Sequence, residues 1–193
     1  MNSNMTLLDR IKKHEGFRSH AYLDSKGFLS IGYGTTVGRV YVADAPVKPG
    51  DLPLSFQAEG VGITKQQAEW LLQDRVAGIR TELWDRCKAF RDATGVFVGD
   101  LFELEDRSAM HHENDISDVL IEMAYQLGVD GLLNFKRMLE AIERGDWDAA
   151  SREVVWKDGT RASLAFKDRS ALYQQTPERA EYYARVLRTG VAE

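Results

Sequence analysis

Residues 15–34 read EGFRSHAYLDSKGFLSIGYG, and this stretch contains the strongest structural signals in the chain. Two short runs rich in aromatic and apolar residues flank the tetrapeptide Asp24-Ser-Lys-Gly27, a pattern typical of a β-hairpin with glycine in its turn. Gly32 and Gly34 weaken the second strand and indicate a bulge or a close approach of the backbone to another group. We therefore expect a hairpin that places Asp24 at its turn.

A helix is predicted immediately before this hairpin. Thr6 is followed three residues later by Asp9, which is typical of an N-cap. One helical face carries Leu7, Leu8, Ile11 and Glu15. Gly16 is expected to end the helix, so Glu15 is predicted at a helix C-terminus.

The chain after the hairpin changes character twice. Residues 36–63 contain three of the four prolines and predict loop or irregular sheet, with a strand at Val40-Tyr-Val42. Thr64-Lys-Gln-Gln67 forms a capping box, which predicts an amphipathic helix over residues 64–87. Its apolar stripe comprises Ala68, Leu72, Val76, Ile79, Leu83 and Cys87, so the single cysteine is expected to be buried.

Four further helices are predicted toward the C-terminus. They cover residues 115–127, 130–144 and 146–156, and the last starts at Thr176-Pro177, where proline suits the first helical position. Residues 91–113 are weakly patterned. The run His111-His112-Glu113 lacks a second ligand pair at metal spacing, so a polar loop before an N-cap at Asn114 is favoured over a metal site.

Composition excludes several classes of protein. Hydrophobic residues make up 44% of the 193, which is typical of a globular chain, and one cysteine cannot form an internal disulfide. The net charge is −5, and residues 64–134 carry 7 basic and 14 acidic side chains, so no nucleic-acid partner is expected. No apolar run is long enough for membrane insertion, and no secretory signal is visible at the N-terminus.

Glu15 and Asp24 are the candidate chemical pair. One is predicted at a helix end and the other at a hairpin turn, so two rigid elements would hold the carboxyls on either side of a cleft. Hydrolysis of a glycosidic bond needs one carboxylic acid to protonate the leaving oxygen and one carboxylate on the opposite face. Taken alone, the spacing is a weak signal and favours two surface charges.

The motifs around this pair resemble those of the T-even phage lysozyme family, glycoside hydrolase family 24. Residues 15–34 are similar to its pattern E-G-x-R, Y-x-D, G-x-x-T-I-G-x-G. The strings Tyr125-Gln-Leu-Gly128 and Tyr173-Gln-Gln-Thr-Pro-Glu-Arg-Ala180 resemble its F-Q-M-G and Y-N-Q-T-P-x-R-A. Shorter matches are Arg137-Met-Leu139, Trp147-Asp148 and Arg188-Thr-Gly190. The matches span residues 6–35, 63–87 and 114–190, and residues 36–63 and 88–113 look like insertions.

This resemblance implies an α+β, lysozyme-like fold with two lobes in a single domain, residues 1–193. A small hairpin-sheet lobe would cover residues 15–63. A long helix, residues 64–87, would join it to a larger helical lobe of residues 88–193 plus 1–14.

The resemblance also implies an inverting muramidase that cuts peptidoglycan between N-acetylmuramic acid and N-acetylglucosamine. Glu15 would be the general acid, Asp24 would orient or deprotonate the attacking water, and the Ser30 hydroxyl would help to hold that water. Substrate contacts are expected from Tyr22, Gly34, Tyr125, Gln126, Gly128, Gln175 and Arg179. Acid catalysis by carboxyls needs no cofactor or metal. We expect a monomer that is made in the host cytoplasm and reaches the cell wall through holin-type release, for host lysis.

Three positions depart from the family pattern. Ser30 stands where the family has threonine, which keeps the hydroxyl and loses the methyl that restricts its rotamer. Thr35 replaces a histidine, and Leu172 replaces a tryptophan.

The alternatives to a muramidase are a non-catalytic wall-binding or phage-tail structural protein on the same scaffold, a lytic transglycosylase, and an antibacterial effector with the same chemistry.

Overall fold

The computed structural model describes residues 5–24, 28–39, 41–42, 45–46, 57–94, 111–157 and 168–189. These residues form eight helices and six strands, which confirms the predicted α+β class. The helices are α1 Leu7–Glu15, α2 Lys65–Thr94, α3 His111–Leu127, α4 Val129–Leu133, α5 Lys136–Glu143, α6 Trp147–Val155, α7 Ala171–Gln175 and α8 Pro177–Thr189. The strands are β1 Arg18–Leu23, β2 Phe28–Gly32, β3 Thr35–Arg39, β4 Tyr41–Val42, β5 Ala45–Pro46 and β6 Gln57–Gly62.

The described residues divide into two compact units. The first unit is Met5–Ala77 and contains α1, the strands and the beginning of α2. The second unit starts at Gly78 and contains the remainder of α2 and the helices α3 to α8.

Helix α1 begins and ends where its caps predict. The Thr6 Oγ1 atom accepts a hydrogen bond from the Asp9 N–H at 3.2 Å, which satisfies a donor that the first helical turn leaves open. Gly16 has a φ of 66° and donates its N–H to the Lys12 carbonyl at 3.0 Å. Because glycine adopts this left-handed conformation without strain, the helix stops directly after Glu15.

The predicted hairpin is confirmed as β1 and β2 of an antiparallel sheet with strand order β3-β2-β1-β6. Tyr22 pairs with Ser30 and Leu23 pairs with Leu29, while the register shifts between Arg18 and Tyr22. Strands β3 and β6 were not predicted. Of the predicted strand at residues 40–42, Tyr41–Val42 is observed as β4, paired with β5, and Val40 lies outside the described residues.

Helix α2 follows its capping box. The Thr64 N–H donates to Gln67 Oε1 at 2.8 Å, and the Gln67 N–H donates to Thr64 Oγ1 at 3.2 Å. The helix runs to Thr94, further than the predicted end at residue 87. All six members of the predicted apolar stripe are buried, and burial raises the pKa of the Cys87 thiol.

Helix α3 starts earlier than predicted. It begins at His111, so the backbone of residues 111–113 is helical and Asn114 is not an N-cap; the prediction of a polar loop there was wrong. The side chains of residues 111–115 lie outside the described set, so the His111-His112-Glu113 hypothesis is not addressed.

The predicted helix over residues 130–144 is two helices, α4 and α5. The Asn134 N–H still bonds to the Asp130 carbonyl, but the Phe135 N–H bonds to the Leu132 carbonyl at 2.9 Å, which tightens and closes the last turn of α4. Phe135 then has a φ of −79° and a ψ of 50°, outside the helical region. Neither proline nor an N-capping side chain marks this break in the sequence.

The last three helices agree with the sequence except for α7. Asp146 caps α6 by accepting the Ala149 N–H at 2.9 Å, and α8 begins at Pro177 as predicted. Helix α7 was missed; its cap is Ser170, whose Oγ accepts the Tyr173 N–H at 3.0 Å. In the second unit α6 packs against α5 and α8. Helix α3 packs against α4 and α8 and buries Ile116, Val119, Leu120, Ile121, Met123 and Ala124. No helix in the described ranges combines the length and apolarity needed to cross a bilayer.

Candidate active site

Glu15, the predicted general acid, is the last residue of α1 and is half-buried. Its carboxylate approaches the turn between β2 and β3. A Cβ placed on Gly34, which has a φ of +78°, would lie 3.2 Å from Glu15 Oε2. Glycine is favoured at this position for two reasons: it adopts the left-handed backbone conformation without strain, and it has no side chain to crowd the Glu15 carboxylate.

Asp24 directly follows β1, at the start of the hairpin turn. Its Oδ1 atom accepts the Phe28 N–H at 2.8 Å, and its own N–H donates to the Phe28 carbonyl at 2.8 Å. A carboxylate bonded to the backbone of the opposite strand has a defined orientation, so the hairpin holds the Asp24 side chain as well as its main chain. The turn residues 25–27 lie outside the described set.

Tyr22 connects the two carboxylates. Burial is the main reason why the pKa of its phenol is raised; the Arg18 cation opposes that shift, and the charges of Glu15 and Asp24 add to it. Glu15, Asp24 and Tyr22 all lie in the first unit, and both carboxylates are near enough to influence the Tyr22 phenol. Ser30 pairs with Tyr22 across the hairpin and is only 2% exposed.

The other predicted contact residues belong to the second unit. Tyr125 and Gln126 lie in the last turn of α3, which Gly128 follows with a φ of 82°. Gln126 Nε2 donates to Thr176 Oγ1 at 3.0 Å. This contact brings together two of the motifs that the sequence analysis had matched separately.

The Gln126–Thr176 contact fixes the orientation of the glutamine amide. The Thr176 hydroxyl donates its hydrogen to the Leu172 carbonyl at 3.2 Å. It must therefore accept the hydrogen bond from the Gln126 amide nitrogen. Gln126 Oε1 is buried and has no hydrogen-bond partner among the described residues. Nearby in the sequence, Gln175 is exposed and Arg179 is half-buried.

Two features of the structure carry no role in the sequence analysis. In the first unit, the Arg18 guanidinium carbon lies 4.3 Å from the centre of the Tyr22 ring. The E-G-x-R motif was the available signal for it, but the motif alone says nothing about what the arginine contacts. In the second unit, a cavity of about 430 Å³ is lined by Asn134, Phe135, Lys136, Arg137, Glu153, Trp156, Lys157, Ser170 and Ala171.

Metal binding finds no support in the part of the chain that the structure describes. Within it, no group of three or more His, Cys, Asp or Glu side chains is arranged to hold an ion. The groups that the first unit supplies near Glu15 and Asp24 include the Tyr22 phenol and the Ser30 hydroxyl.

Residues 12–98 match the protein family described as phage lysozyme. The chain is 27% identical over 199 residues to the pre-baseplate central spike protein Gp5 of Enterobacteria phage T4, a match that covers 100% of this chain and 29% of that protein. It is 24% identical over 187 residues to probable T4-type lysozyme 1 of Dictyostelium discoideum, covering 96% of this chain and 95% of that protein. The family match over residues 12–98, the two relatives and the α+β fold agree in making this chain similar to phage lysozymes.

Proposed function

We propose that this chain is a muramidase that hydrolyses the β-1,4 bond between N-acetylmuramic acid and N-acetylglucosamine in bacterial peptidoglycan, with inversion. The similarity of residues 12–98 to the phage lysozyme family supports peptidoglycan hydrolysis of this type. The residue assignment is supported by the placement of the two carboxyls: Glu15 ends α1 against the turn between β2 and β3, and Asp24 follows β1 of the same sheet.

In the proposed reaction Glu15 protonates the glycosidic oxygen as the bond breaks, and Asp24 orients and deprotonates a water on the opposite face of the sugar. An inverting enzyme keeps its two carboxyls about 6.5–9.5 Å apart so that this water fits between them. Support for Asp24 comes from its hydrogen bond to the Phe28 N–H, which orients the carboxylate. The Ser30 hydroxyl, directly across the hairpin from Tyr22, helps to hold the water.

We assign substrate contacts to the residues that the resemblance implies. In the first unit these are Gly34, which lies against the Glu15 carboxylate, and Tyr22, whose phenol is influenced by the Glu15 charge. In the second unit the contact residues are Tyr125, Gln126, Gly128, Gln175 and Arg179. The reaction uses no cofactor or metal, and a monomer suffices for it. In its biological setting the enzyme acts on the host wall after holin-type release from the cytoplasm.

The test is release of reducing ends from purified peptidoglycan by wild type, Glu15→Gln and the control Glu69→Gln. Removal of a general acid typically costs about 10²- to 10⁴-fold in rate, so Glu15→Gln should lose at least that much while remaining folded. Glu69 lies in the same unit and forms a partly exposed ion pair with Lys12, which contributes little to stability, so its variant should retain activity. Turnover at the wild-type rate by folded Glu15→Gln would remove Glu15 from the mechanism.

The product identifies the mechanism. Inversion at a β-linkage releases the α-anomer first, which NMR detects before mutarotation, whereas retention releases the β-anomer. An anhydro-sugar end would instead identify a lytic transglycosylase.

A second candidate function follows from the match to Gp5, which covers all of this chain and 29% of that spike protein. On this alternative the chain is a wall-binding or tail-structural module. This alternative would be favoured if the folded wild-type protein bound peptidoglycan but released no reducing ends.

A further inference from the structure

Arg18 is the residue of the matched motif to which the proposed mechanism gives no role. It opens β1, is solvent-exposed, and stacks its guanidinium on Tyr22 at 4.3 Å from the ring centre. A stack of this kind uses the flat face of the guanidinium and leaves the N–H groups at its edge available to other partners.

The charge of Arg18 is not matched by an ion pair. Within the described part of the chain, carboxylates pair with Arg86, Arg137, Arg152 and Arg188, whereas Arg18 makes only the ring contact. This is so although Glu15 and Asp24 both act on the same Tyr22 phenol. The side chain is thus an oriented cation for which the described residues supply no bonded anion.

We propose that Arg18 binds a carboxylate carried by the peptide substituents of the glycan strand, and so makes the enzyme select an anionic substrate. This inference rests on the proposed function. The planar guanidinium presents paired N–H donors that match the two oxygens of a carboxylate. Tyr22 limits the rotation of the arginine side chain, so less conformational freedom is lost when the ligand binds.

The local charges explain why a cation is useful at this place. Glu15 and Asp24 repel an anionic substituent that approaches Tyr22. The Arg18 cation beside Tyr22 offsets that repulsion where the substituent must bind.

The test measures binding to insoluble peptidoglycan by cosedimentation, using native wall and wall whose carboxylates have been converted to amides. All proteins carry Glu15→Gln so that the polymer stays intact. In this background Arg18→Gln should bind native wall about fivefold more weakly, as expected for loss of one exposed charge-assisted contact, and should bind amidated wall as its parent does. Arg75→Gln is the matched control, because Arg75 is an exposed arginine of the same unit.

Equal loss of binding to both walls, or unchanged binding to native wall, would overturn the proposal. So would an equal loss in Arg75→Gln, because the effect would then come from overall charge. Arg18→Met keeps a long side chain over the ring and gives the same comparison if the glutamine variant fails to fold. Since the assay reads binding alone, it remains decisive for Arg18 even if wild type releases no reducing ends.

Discussion

Replacement of Gly34 by alanine tests the geometry at Glu15 with one methyl group. The added Cβ would lie 3.2 Å from Glu15 Oε2 and 3.8 Å from its Cδ and Cγ, where ordinary van der Waals contacts start at 3.4 Å. The backbone of Gly34 has a φ of +78°, and alanine in this left-handed region costs about 1–2 kcal/mol of folding free energy. The substitution therefore acts on stability through the backbone and on activity through the carboxylate.

The effect on activity follows from the displacement. The Glu15 carboxyl must give way by a few tenths of an ångström, and misplacement of a catalytic group by about 1 Å costs about 100-fold in rate. We expect kcat for reducing-end release to fall about tenfold, equivalent to about 1.4 kcal/mol in activation free energy.

Gly145→Ala separates these two effects. Gly145 has a φ of +68° and no atom within 4 Å of an added Cβ, so this variant carries the backbone strain without the crowding. Both variants should show a similar fall in melting temperature, and only Gly34→Ala should lose turnover. Equal kcat values for the two proteins would refute the placement of Glu15 against Gly34.

Three further predictions concern stability. Thr35 Oγ1 is buried without a hydrogen-bond partner among the described residues, so Thr35→Val should raise the unfolding free energy by about 1 kcal/mol in denaturant titrations, and the exposed control Thr36→Val should change it little; a destabilised Thr35→Val protein would show that the hydroxyl is satisfied. Burial raises the pKa of Tyr22 above its ordinary 10.0, so its contribution to stability is present below pH 10 and is lost as pH rises through the folded pKa. Melting temperatures measured upward from pH 9 should therefore fall less steeply for Tyr22→Phe, and parallel curves would count against the raised pKa. Ile79 is fully buried in α2, and Ile79→Ala should cost about 2–5 kcal/mol in the same titrations; a loss below 1 kcal/mol would mean that this face is not packed.

The helix and hairpin boundaries in the first unit follow from local signals in the sequence. Thr6, Gly16 and the capping box at residues 64–67 act on neighbours three or four positions away, and the helix boundaries that they mark are confirmed. The tetrapeptide at Asp24–Gly27 predicts the hairpin for the same reason, since turn chemistry depends on adjacent residues. The placement of Glu15 at a helix end and Asp24 at a turn was therefore available from local signals.

The boundaries that failed depend on distant residues. The separation of α4 from α5 falls at Asn134 and Phe135, which carry no strong breaking signal. Strand β6 pairs with β1 although residues 33–56 separate β6 from the hairpin in the sequence. Its pairing partner therefore cannot be predicted from its own residues. Tertiary packing overrides weak local preference at such positions.

Local chemistry in the chain determines the caps, the buried stripe of α2 and the hairpin at Asp24, because each of these depends on residues a few positions apart, whereas the α+β class and the pairing of Glu15 with Asp24 came from the family resemblance. Tertiary structure decides which groups meet: Gly34 against Glu15, the Arg18 guanidinium on Tyr22, and the Gln126 amide on Thr176. The first and third of these contacts join residues from different elements. The second joins two residues of β1, whose side-chain directions depend on the register shift between Arg18 and Tyr22. Their distances follow from how the whole chain packs and not from any one segment of it.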